Sequence, residues 1–552
     1  MKKTIIITLV SLLISLGAQA KSDPAEIRFK VTTYDTQGAL LHTGYGLFLQ
    51  SGEGLAPYRL FEGASRAEVT DSRGKTWQVE RICGASDLYD VVRFTTTCTS
   101  APAATLLQGR AAQGTLLTLS DTAGAQLSAT ISAAEEYNGV VYYTLALPAN
   151  NDLEGSPLCD ASGRLVAMLQ ASSAKDRDRS FALSATVAGQ LEINAMSAGN
   201  AALNAIKMPK QLPADKEQAA SYVYLLSKNL QDDAIILTAL QDYIALFPAE
   251  AGGYADLALY HAARANYQAA DQAYTAGWKK VANAAELHYN LSKLIYNLNF
   301  STGYDTYSDW TLERALAEAE QALNTDPSNT LYLLQAGDCR FALKQYQASY
   351  DAYQTINATT PSAETYYRAA RAREQVDGDT TAILALLDSA VARFTEPYAS
   401  DAGPYIFQRA QYLTKFGRYR LAAMDYKTYE DLIGTKKLND SFFYAKEQVD
   451  FHARLFQWAL EDIDKALAVA PDDYIYLVEK ALVQIRCGQF DEAVLTAQRA
   501  IGVEPQGADA YKMLGIAYGE SGDRANALSQ LRRAQELGDP QAESLIEELL
   551  GE

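Results

Sequence analysis

The sequence predicts a chain of two parts, an all-β part followed by an all-α part, and three observations predict it. In residues 27–195, apolar and polar residues alternate with a period near two, in short runs broken by Gly, Asp and Asn. Such runs are typical of the strands of an antiparallel barrel or sandwich. From about residue 217 the apolar period changes to about 3.6, which indicates helices. Those helices recur with a 34-residue repeat, the length of a helix pair.

The composition and the net charge disfavour some classes of binding partner. The chain has 552 residues, of which 48% are hydrophobic and 21% are charged, enough to form buried cores. Its formal net charge is −19, which disfavours binding to nucleic acid or to an anionic membrane surface. After the first twenty residues, no stretch is long and apolar enough to span a bilayer. We therefore expect no nucleic-acid partner and no insertion into a membrane.

The first twenty residues, 1–20, are typical of a secretory signal peptide. Two lysines precede the apolar run at 4–16, and Ala18-Gln19-Ala20 provides the small residues of a cleavage site. Cleavage near Ala20 would place the mature protein in the periplasm or outside the cell.

The cysteines do not predict a metal site. Five are present, without CxxC spacing and without histidines at zinc-ligand spacing, so we expect no metal and no cofactor. In an oxidising compartment Cys83 and Cys98 could form a disulfide. The alternative is that they are buried free thiols.

The strand patterns divide the β part, predicted to span 21–196, into short segments. In chain order the clearest alternating runs are IRFKVTTYD, GYGLFLQ, AEVTDSRGKTWQVERI, DVVRFTT, GTLLTLSD, VVYYTLAL and RLVAMLQA. Residues 197–216 lose the alternation, and we interpret them as a linker.

The helical part, 217–552, resembles an array of tetratricopeptide repeats. Pro327 and Pro361 are 34 residues apart, as are Pro471 and Pro505. One late unit has the family's aromatic, glycine and alanine positions at Tyr511, Leu514, Gly515, Tyr518, Gly522, Ala527 and Ala534. The period allows about nine helix pairs. The resemblance implies a superhelix that binds a peptide or protein ligand.

The β part resembles trypsin-like serine proteases of the chymotrypsin fold, which have two barrels. The segments that carry the resemblance occur in the family's order and are GYGLFL, GEGLAPYRLFEGASRAEV, DLYDVVRF, LEGSPLCDASGRLVAM and SFALSA. Their span of about 150 residues suits a two-barrel domain with short loops.

The resemblance implies a degenerate catalytic triad. Arg59 occupies the histidine position, Asp90 the aspartate position and Glu154 the serine position. In this mechanism a neutral imidazole accepts the proton of the attacking hydroxyl, whereas arginine stays protonated in proteins. His42 precedes the glycine-rich strand, and the other three histidines lie in the helical part. We therefore predict no catalytic residues and no enzymatic activity.

Alternatives remain at these positions. Ser156 could act as a displaced nucleophile, but it would need a new base and a new oxyanion pocket. Glu154 could act with Asp90 as the carboxylate pair of a glycosidase, although nothing in the sequence indicates a sugar cleft. We hypothesise instead that Arg59 bridges the two carboxylates as a structural clasp, the alternative being that its side chain points to solvent.

The segment NFSTGYDTYSDW, 299–310, lengthens one inter-helix turn. Insertions in repeat arrays map to one face, which is often the binding face, so Tyr304, Tyr307 and Trp310 are candidates for contact with a partner. The alternative is a tolerated surface loop.

These observations predict a non-catalytic binding or scaffolding protein. An active peptidase with a non-standard site, which receives substrates from the array, is the main alternative. A purely structural component of the cell envelope is the third.

Overall fold

A computed structural model describes residues 23–551, except 51, 101–103, 174, 231 and 302–306. The predicted signal peptide, 1–20, lies outside the described residues. The chain forms two compact units, Met1–Leu287 and His288–Glu552. Their boundary lies inside a helix rather than at the predicted linker.

The first unit begins with two closed six-stranded barrels, and every strand pair in them is antiparallel. A short helix, α1, Pro24–Ile27, precedes the first barrel, whose strand order is β1-β2-β3-β6-β5-β4. Its strands are β1 Arg28–Tyr34, β2 Leu40–Gln50, β3 Glu53–Ala56, β4 Arg66–Asp71, β5 Thr76–Ser86 and β6 Val91–Thr96. The second barrel has the order β10-β11-β12-β9-β8-β7. Its strands are β7 Leu116–Ser120, β8 Gln126–Tyr137, β9 Val140–Ala146, β10 Pro157–Cys159, β11 Leu165–Leu169 and β12 Ser180–Ser184. The predicted double barrel is confirmed.

The alternation of apolar residues positions the barrel cores. In β1, Phe29 and Val31 are buried in the first core while Lys30 is exposed, because successive side chains of a strand point to opposite faces. β11 departs from this pattern, since all five of its residues are buried. Leu165 and Met168 belong to one apolar cluster and the other three residues to another. This strand is covered on both faces.

Residues 197–216, which we interpreted as a linker, pack against the first barrel. They include the helix α2, Ala201–Ala205. The Ile82 N–H donates to the Pro209 carbonyl at 2.9 Å, and the Gln211 N–H donates to the Ile82 carbonyl at 2.8 Å. We call residues 205–211 the strap. The apolar residues of this region join the core of the first barrel, and they are Ala202, Leu203, Ile206, Met208 and Leu212. These residues are buried against the barrel without forming one face of a long helix or strand, so their sequence shows neither a helical nor a strand period.

A buried lysine fastens the strap. The Lys210 ammonium donates to the carbonyls of Ile206 and Met208 at 2.5 and 2.7 Å, and its side chain is almost fully buried. Burial lowers the pKa of Lys210 to about 7. Both acceptors lie in the strap itself, so the lysine fixes its local conformation.

The helical region follows. The first unit contains α3 Lys216–Asn229, α4 Asp233–Leu246, α5 Ala251–Ala262 and α6 Tyr267–Trp278. α3 and α4 share an apolar core with the first barrel through residues such as Tyr222 and Leu240. α7, Ala285–Phe300, crosses the boundary between the units.

The second unit is all-helical where the structure describes it. After α7 its helices are α8 Leu312–Thr325, α9 Thr330–Ala342, α10 Tyr346–Thr359, α11 Ala363–Val376, α12 Thr380–Val391, α13 Gly403–Lys415, α14 Tyr419–Ile433, α15 Asp440–His452, α16 Phe456–Val469, α17 Tyr474–Arg486, α18 Phe490–Val503, α19 Ala508–Glu520, α20 Arg524–Glu536 and α21 Ala542–Leu550. Within the described ranges, α3 to α20 form nine successive pairs, and α21 follows alone. No helix in these ranges combines the length and apolar character needed to cross a membrane.

Polar caps set the starts of many helices. Asn329 accepts hydrogen bonds from two backbone N–H groups at the start of α9, and Ser362 forms a capping box with Thr365 at the start of α11. Such caps satisfy N–H groups that have no partner within the helix. The four cysteines of the barrels and of α9, together with Cys487, are free thiols, so the Cys83–Cys98 disulfide is not formed in this structure.

The apolar core that the first barrel shares with the strap, α3 and α4 predicts which fragment of the first unit is stable. A fragment of residues 23–196 loses the strap, α3 and α4, and exposes apolar residues of the first barrel such as Ile82. We expect it to aggregate, or to melt well below a fragment of residues 23–282, because burial contributes about 25 cal/mol per Å² of apolar surface. Thermal melts by circular dichroism measure this. Equal melting temperatures would show that the strap and helices do not stabilise the barrel.

Candidate functional site

The barrels bring the three predicted triad positions together. Arg59 lies in the 3₁₀ turn Tyr58–Leu60 that follows β3, and Asp90 immediately precedes β6. Both belong to the first barrel. Glu154 comes from the second barrel, between the 3₁₀ turn Asn151–Leu153 and β10. The site is therefore built by loops from both barrels.

Arg59 bridges the two carboxylates. Its guanidinium forms a close ion pair with Glu154 Oε2 and lies 3.6 Å from Asp90 Oδ2. The backbone N–H of Arg59 also donates to Asp90 Oδ1 at 3.0 Å. We call these three residues the clasp. The side chain of Arg59 does not simply point to solvent, although it is 45% exposed, against 30% for Asp90 and 9% for Glu154.

The conformation of Asp90 places its carboxylate against Arg59. Asp90 has a φ of 45°, in the left-handed region that few residues other than glycine adopt and that aspartate tolerates better than most. Its N–H donates to the Asp87 carbonyl at 3.2 Å, which closes a tight turn before β6. The strained residue is thus one that holds the clasp.

The loop at the predicted serine position, residues 150–155, which we call the nucleophile loop after that prediction, engages three of its N–H groups internally. The Asp152 N–H donates to Asn150 Oδ1 at 3.0 Å. The Leu153 N–H donates to the Asn150 carbonyl at 3.1 Å, and the Glu154 N–H donates to the Asn151 carbonyl at 3.2 Å. An oxyanion hole needs N–H groups that point at the substrate. The N–H groups of Asp152, Leu153 and Glu154 point instead at acceptors in the loop.

Gly155 fixes the loop against the first barrel. It has a φ of +77°, and a Cβ at this position would lie 1.9 Å from the carbonyl oxygen of Tyr45. No residue with a side chain fits without moving the backbone. Its N–H donates to the Leu169 carbonyl at 2.8 Å. The glycine thus lets the loop approach β2 closely.

The Asn151 side chain covers the backbone of the neighbouring edge. The Ser172 N–H donates to Asn151 Oδ1 at 3.0 Å, and the Asn151 amide donates to the Ser172 carbonyl at 3.5 Å. These are the groups that an extended peptide would need in order to pair with this segment. An internal side chain occupies both of them.

Arg28, which the sequence analysis missed, joins the loops to the first barrel. Its guanidinium donates to the Asp121 carbonyl at 2.8 Å and the Asp152 carbonyl at 3.5 Å, and stacks on the Tyr45 ring at 3.7 Å. Burial lowers its pKa. The alternation in β1 places Arg28 opposite Phe29, on the outer face of the barrel. No sequence signal shows that the second barrel covers that face.

The other candidate residues are not arranged for catalysis. Ser156 is fully buried, and its Oγ has no hydrogen-bond partner. His42 lies on β2, paired with Thr33 in the ladder. A polar cavity of about 470 Å³ adjoins the clasp, and its lining includes Lys30, Tyr45, Arg59, Asn151 and Glu154. The cavity is therefore bordered by ion-paired and internally bonded groups.

Of the residues predicted to contact a partner in the 299–310 segment, Trp310 differs from that expectation. Tyr304 lies outside the described residues. Trp310 is only 5% exposed, and its carbonyl accepts from the Asn299 amide at 3.0 Å. Tyr307, which is partly exposed, packs edge-on against the Trp310 ring at 5.6 Å. The Trp310 side chain is therefore buried rather than presented at the surface.

The chain was compared with known proteins. No family model and no curated protein matches it. Among solved structures, it is similar to the Rv3671c protease from M. tuberculosis in its active form, with 17% identity and a TM-score of 0.27 over 34% of this chain and 92% of that chain. A serine endoprotease from Yersinia pestis has 17% identity and a TM-score of 0.27, over 31% of this chain and 63% of that chain.

A third similar structure is the HtrA-type protease AlgW with a tripeptide, with 18% identity and a TM-score of 0.26 over 31% of this chain and 60% of that chain. The chain thus spans less than two thirds of the second and third proteases. At such identities and TM-scores the likeness carries no functional argument, and function has to be inferred from this chain's own geometry.

The clasp predicts a specific loss of stability. Arg59→Met leaves the buried Glu154 carboxylate without its cation. Since Arg59 is nearly half exposed, we expect a loss of about 1–2 kcal/mol, between the ~0–1 of an exposed pair and the ~3–5 of a buried one. Unfolding of the 23–282 fragment measures it. Adding Glu154→Gln and Asp90→Asn should recover part of the loss.

Arg73 provides the matched control, because its pair with Glu26 is exposed on both sides at 3.6 Å. Arg73→Met should leave stability unchanged. If Arg59→Met unfolds like the control, the clasp does not stabilise the barrels.

Proposed function

We propose that this protein is a non-catalytic binding or scaffolding protein. Its double barrel is a trypsin-like protease domain with a degenerate triad at Arg59, Asp90 and Glu154, and its helix pairs are tetratricopeptide repeats. The repeats bind a peptide or protein ligand. The signal peptide is removed near Ala20, and the mature protein acts in the periplasm or outside the cell.

The observation that carries the proposal is the closed nucleophile loop. Peptide hydrolysis needs a nucleophile, a base and donors for the developing oxyanion. The N–H groups of Asp152, Leu153 and Glu154 all donate within the loop. Since these three N–H groups are engaged within the loop, restoring side chains alone would not rebuild the reaction centre.

The clasp supports the same proposal from the side chains. The residue at the base position is a guanidinium, which does not lose its proton at any accessible pH. Glu154 is paired with that guanidinium, so its carboxylate is bound rather than poised for attack. Ser156 has a buried hydroxyl that no base reaches by a hydrogen bond.

A groove in the second unit supports ligand binding by the repeats. A cavity of about 550 Å³ lies between the first helices of successive pairs, α17 and α19, and the terminal α21. Its apolar lining includes Ile475, Val478, Leu482, Ile516 and Leu545. Ile475 is 54% exposed, so part of this apolar lining is accessible to a ligand.

The activity test uses the full chain. We expect no cleavage of casein and no labelling by a fluorophosphonate serine probe, with trypsin as the positive control. The double variant Arg59→His with Glu154→Ser should also stay below detection, because the loop N–H groups remain engaged. Inhibitor-sensitive cleavage by the unmodified protein would overturn the proposal in favour of an active peptidase with a non-standard site.

The binding test compares two exposed apolar residues in the second unit. Ile475→Asp places a charge in the α17–α19–α21 groove, whereas Leu495→Asp changes a 68% exposed residue of α18 outside the groove lining. We expect a protein captured from periplasmic extract by the full chain to lose at least tenfold in affinity for the first variant only. Equal affinities for both variants would exclude this groove as the binding surface.

A further inference from the structure

Charged groups are buried between α14, α15 and α16 in the second unit. Four of them form a hydrogen-bonded set with balanced charge, which we call the paired quartet: Glu430, Lys446, Asp462 and Lys465. Except for Lys465, whose side chain is 32% exposed, these side chains are almost completely enclosed. Charges in such a position are tolerated when each is paired.

Both lysines of the quartet form hydrogen bonds with its two carboxylates. Lys446 donates to Glu430 Oε2 at 2.9 Å and to Asp462 Oδ1 at 3.0 Å. Lys465 donates to Glu430 Oε1 at 2.8 Å and to Asp462 Oδ1 at 2.9 Å. Two ammonium groups therefore neutralise two carboxylates, and neither is left for a third acid.

Two further carboxyl groups lie against the quartet without a cation. Glu447 and Asp450 are both on α15, and both are 0% exposed. Glu447 Oε2 accepts from the Gln448 amide at 2.8 Å, while its Oε1 and both oxygens of Asp450 have no hydrogen-bond partner. Glu447 is faced by two acids, Asp462 on α16 and Glu479 on α17. Asp450 is faced by Asp462 and by the Lys446 ammonium, which the quartet already uses. The imidazole of His452 acts on Glu479.

The simplest arrangement that satisfies this geometry has both groups as neutral acids. A protonated carboxyl has one O–H donor, which the neighbouring Asp462 carboxylate can accept from a protonated Asp450. Burial first and Asp462 second raise the pKa of Asp450 to about 8, against the opposing effect of Lys446. Burial first, with Glu479 and Asp462, raises the pKa of Glu447 to about 8. An ionised Asp450 would instead face the Asp462 carboxylate in a dry interior.

We propose that Glu447 and Asp450 make the α15–α16 helix pair an acid-stabilised joint of the repeat array, which stays closed while both carboxyls are protonated and opens increasingly as the pH rises. The joint would tune the packing of the array in response to the acidity of the medium.

The direction of the pH dependence follows from the number of protons that the closed and open states bind. When the pair opens, the exposed carboxyls regain ordinary pKa values near 4. Between about pH 4 and pH 8 the closed state therefore holds more protons than the open state, so opening becomes more favourable as the pH rises. Each additional proton held by the closed state changes the equilibrium constant for opening about tenfold per pH unit, and this change levels off above about pH 8.

Hydrogen–deuterium exchange of the full chain tests the joint locally. The opening of α15 and α16 is compared between the unmodified protein and Asp450→Asn at the same pH, so that intrinsic exchange rates cancel. We expect the ratio of opening in the unmodified protein to that in the variant to grow on the order of 100-fold from pH 5 to pH 7. Above about pH 8 the ratio should stay constant. Glu461→Gln, at an exposed position on α16, is the matched control and should give a ratio that does not change with pH.

Glu447→Gln gives a second reading if Asp450→Asn fails to fold, and the same rise of the ratio with pH is expected. A ratio that does not change with pH in either variant would overturn the proposal. A rise that also appears with Glu461→Gln would overturn it as well, because the effect would then not come from the buried carboxyls.

Discussion

The geometry of the candidate site depends on the buried guanidinium of Arg28. It extends from the first strand of one barrel, stacks on Tyr45 and donates to carbonyls in two loops of the other barrel. Arginine suits this position because its planar fork can serve several acceptors at once. Without it, the loop that carries Glu154 would lose one of its contacts with the barrel that carries Arg59 and Asp90. The other contacts are the close approach of Gly155 to Tyr45 and the clasp itself.

Around that anchor, several groups of the site pair with one another. Loop N–H groups donate to acceptors in the loop, an asparagine side chain caps the adjoining edge, and an arginine links two acids. Reactive sites keep donors unoccupied and hold strain for the reaction. Asp90, which has a positive φ, accepts a hydrogen bond from the backbone N–H of Arg59. These contacts hold loops of the two barrels together.

The period of the apolar residues predicted the barrels and the helices, because burial on one face leaves a pattern within a single element. It did not predict features that depend on two distant elements. The strap in 205–211 has no helical or strand period, although its apolar residues join the core of the first barrel. Trp310 was expected at a surface because an insertion suggests exposure, but its side chain is buried. Likewise, Glu447 and Asp450 look like ordinary acidic residues of a helix in the sequence. Only the packed helices show that the lysines of the quartet already pair with other carboxylates.

For Arg59, the sequence predicted the neighbouring residues but not the conformation of the loop beside it. The order of segments placed it beside Asp90 and Glu154, and the ion pairs follow from that placement. The sequence did not indicate that the loop backbone would be closed, because 3₁₀ geometry depends on Asn150 and on the contact of Gly155 with the other barrel.

The strap also has a consequence for the order of folding. A chain made from its N-terminus has all six strands of the first barrel long before residues 205–211 emerge. Until then, the edge at Ile82 lacks its backbone partners and the apolar face beneath α3 and α4 is uncovered. The second barrel is completed during that interval. The first domain to be synthesised is therefore among the last to be finished.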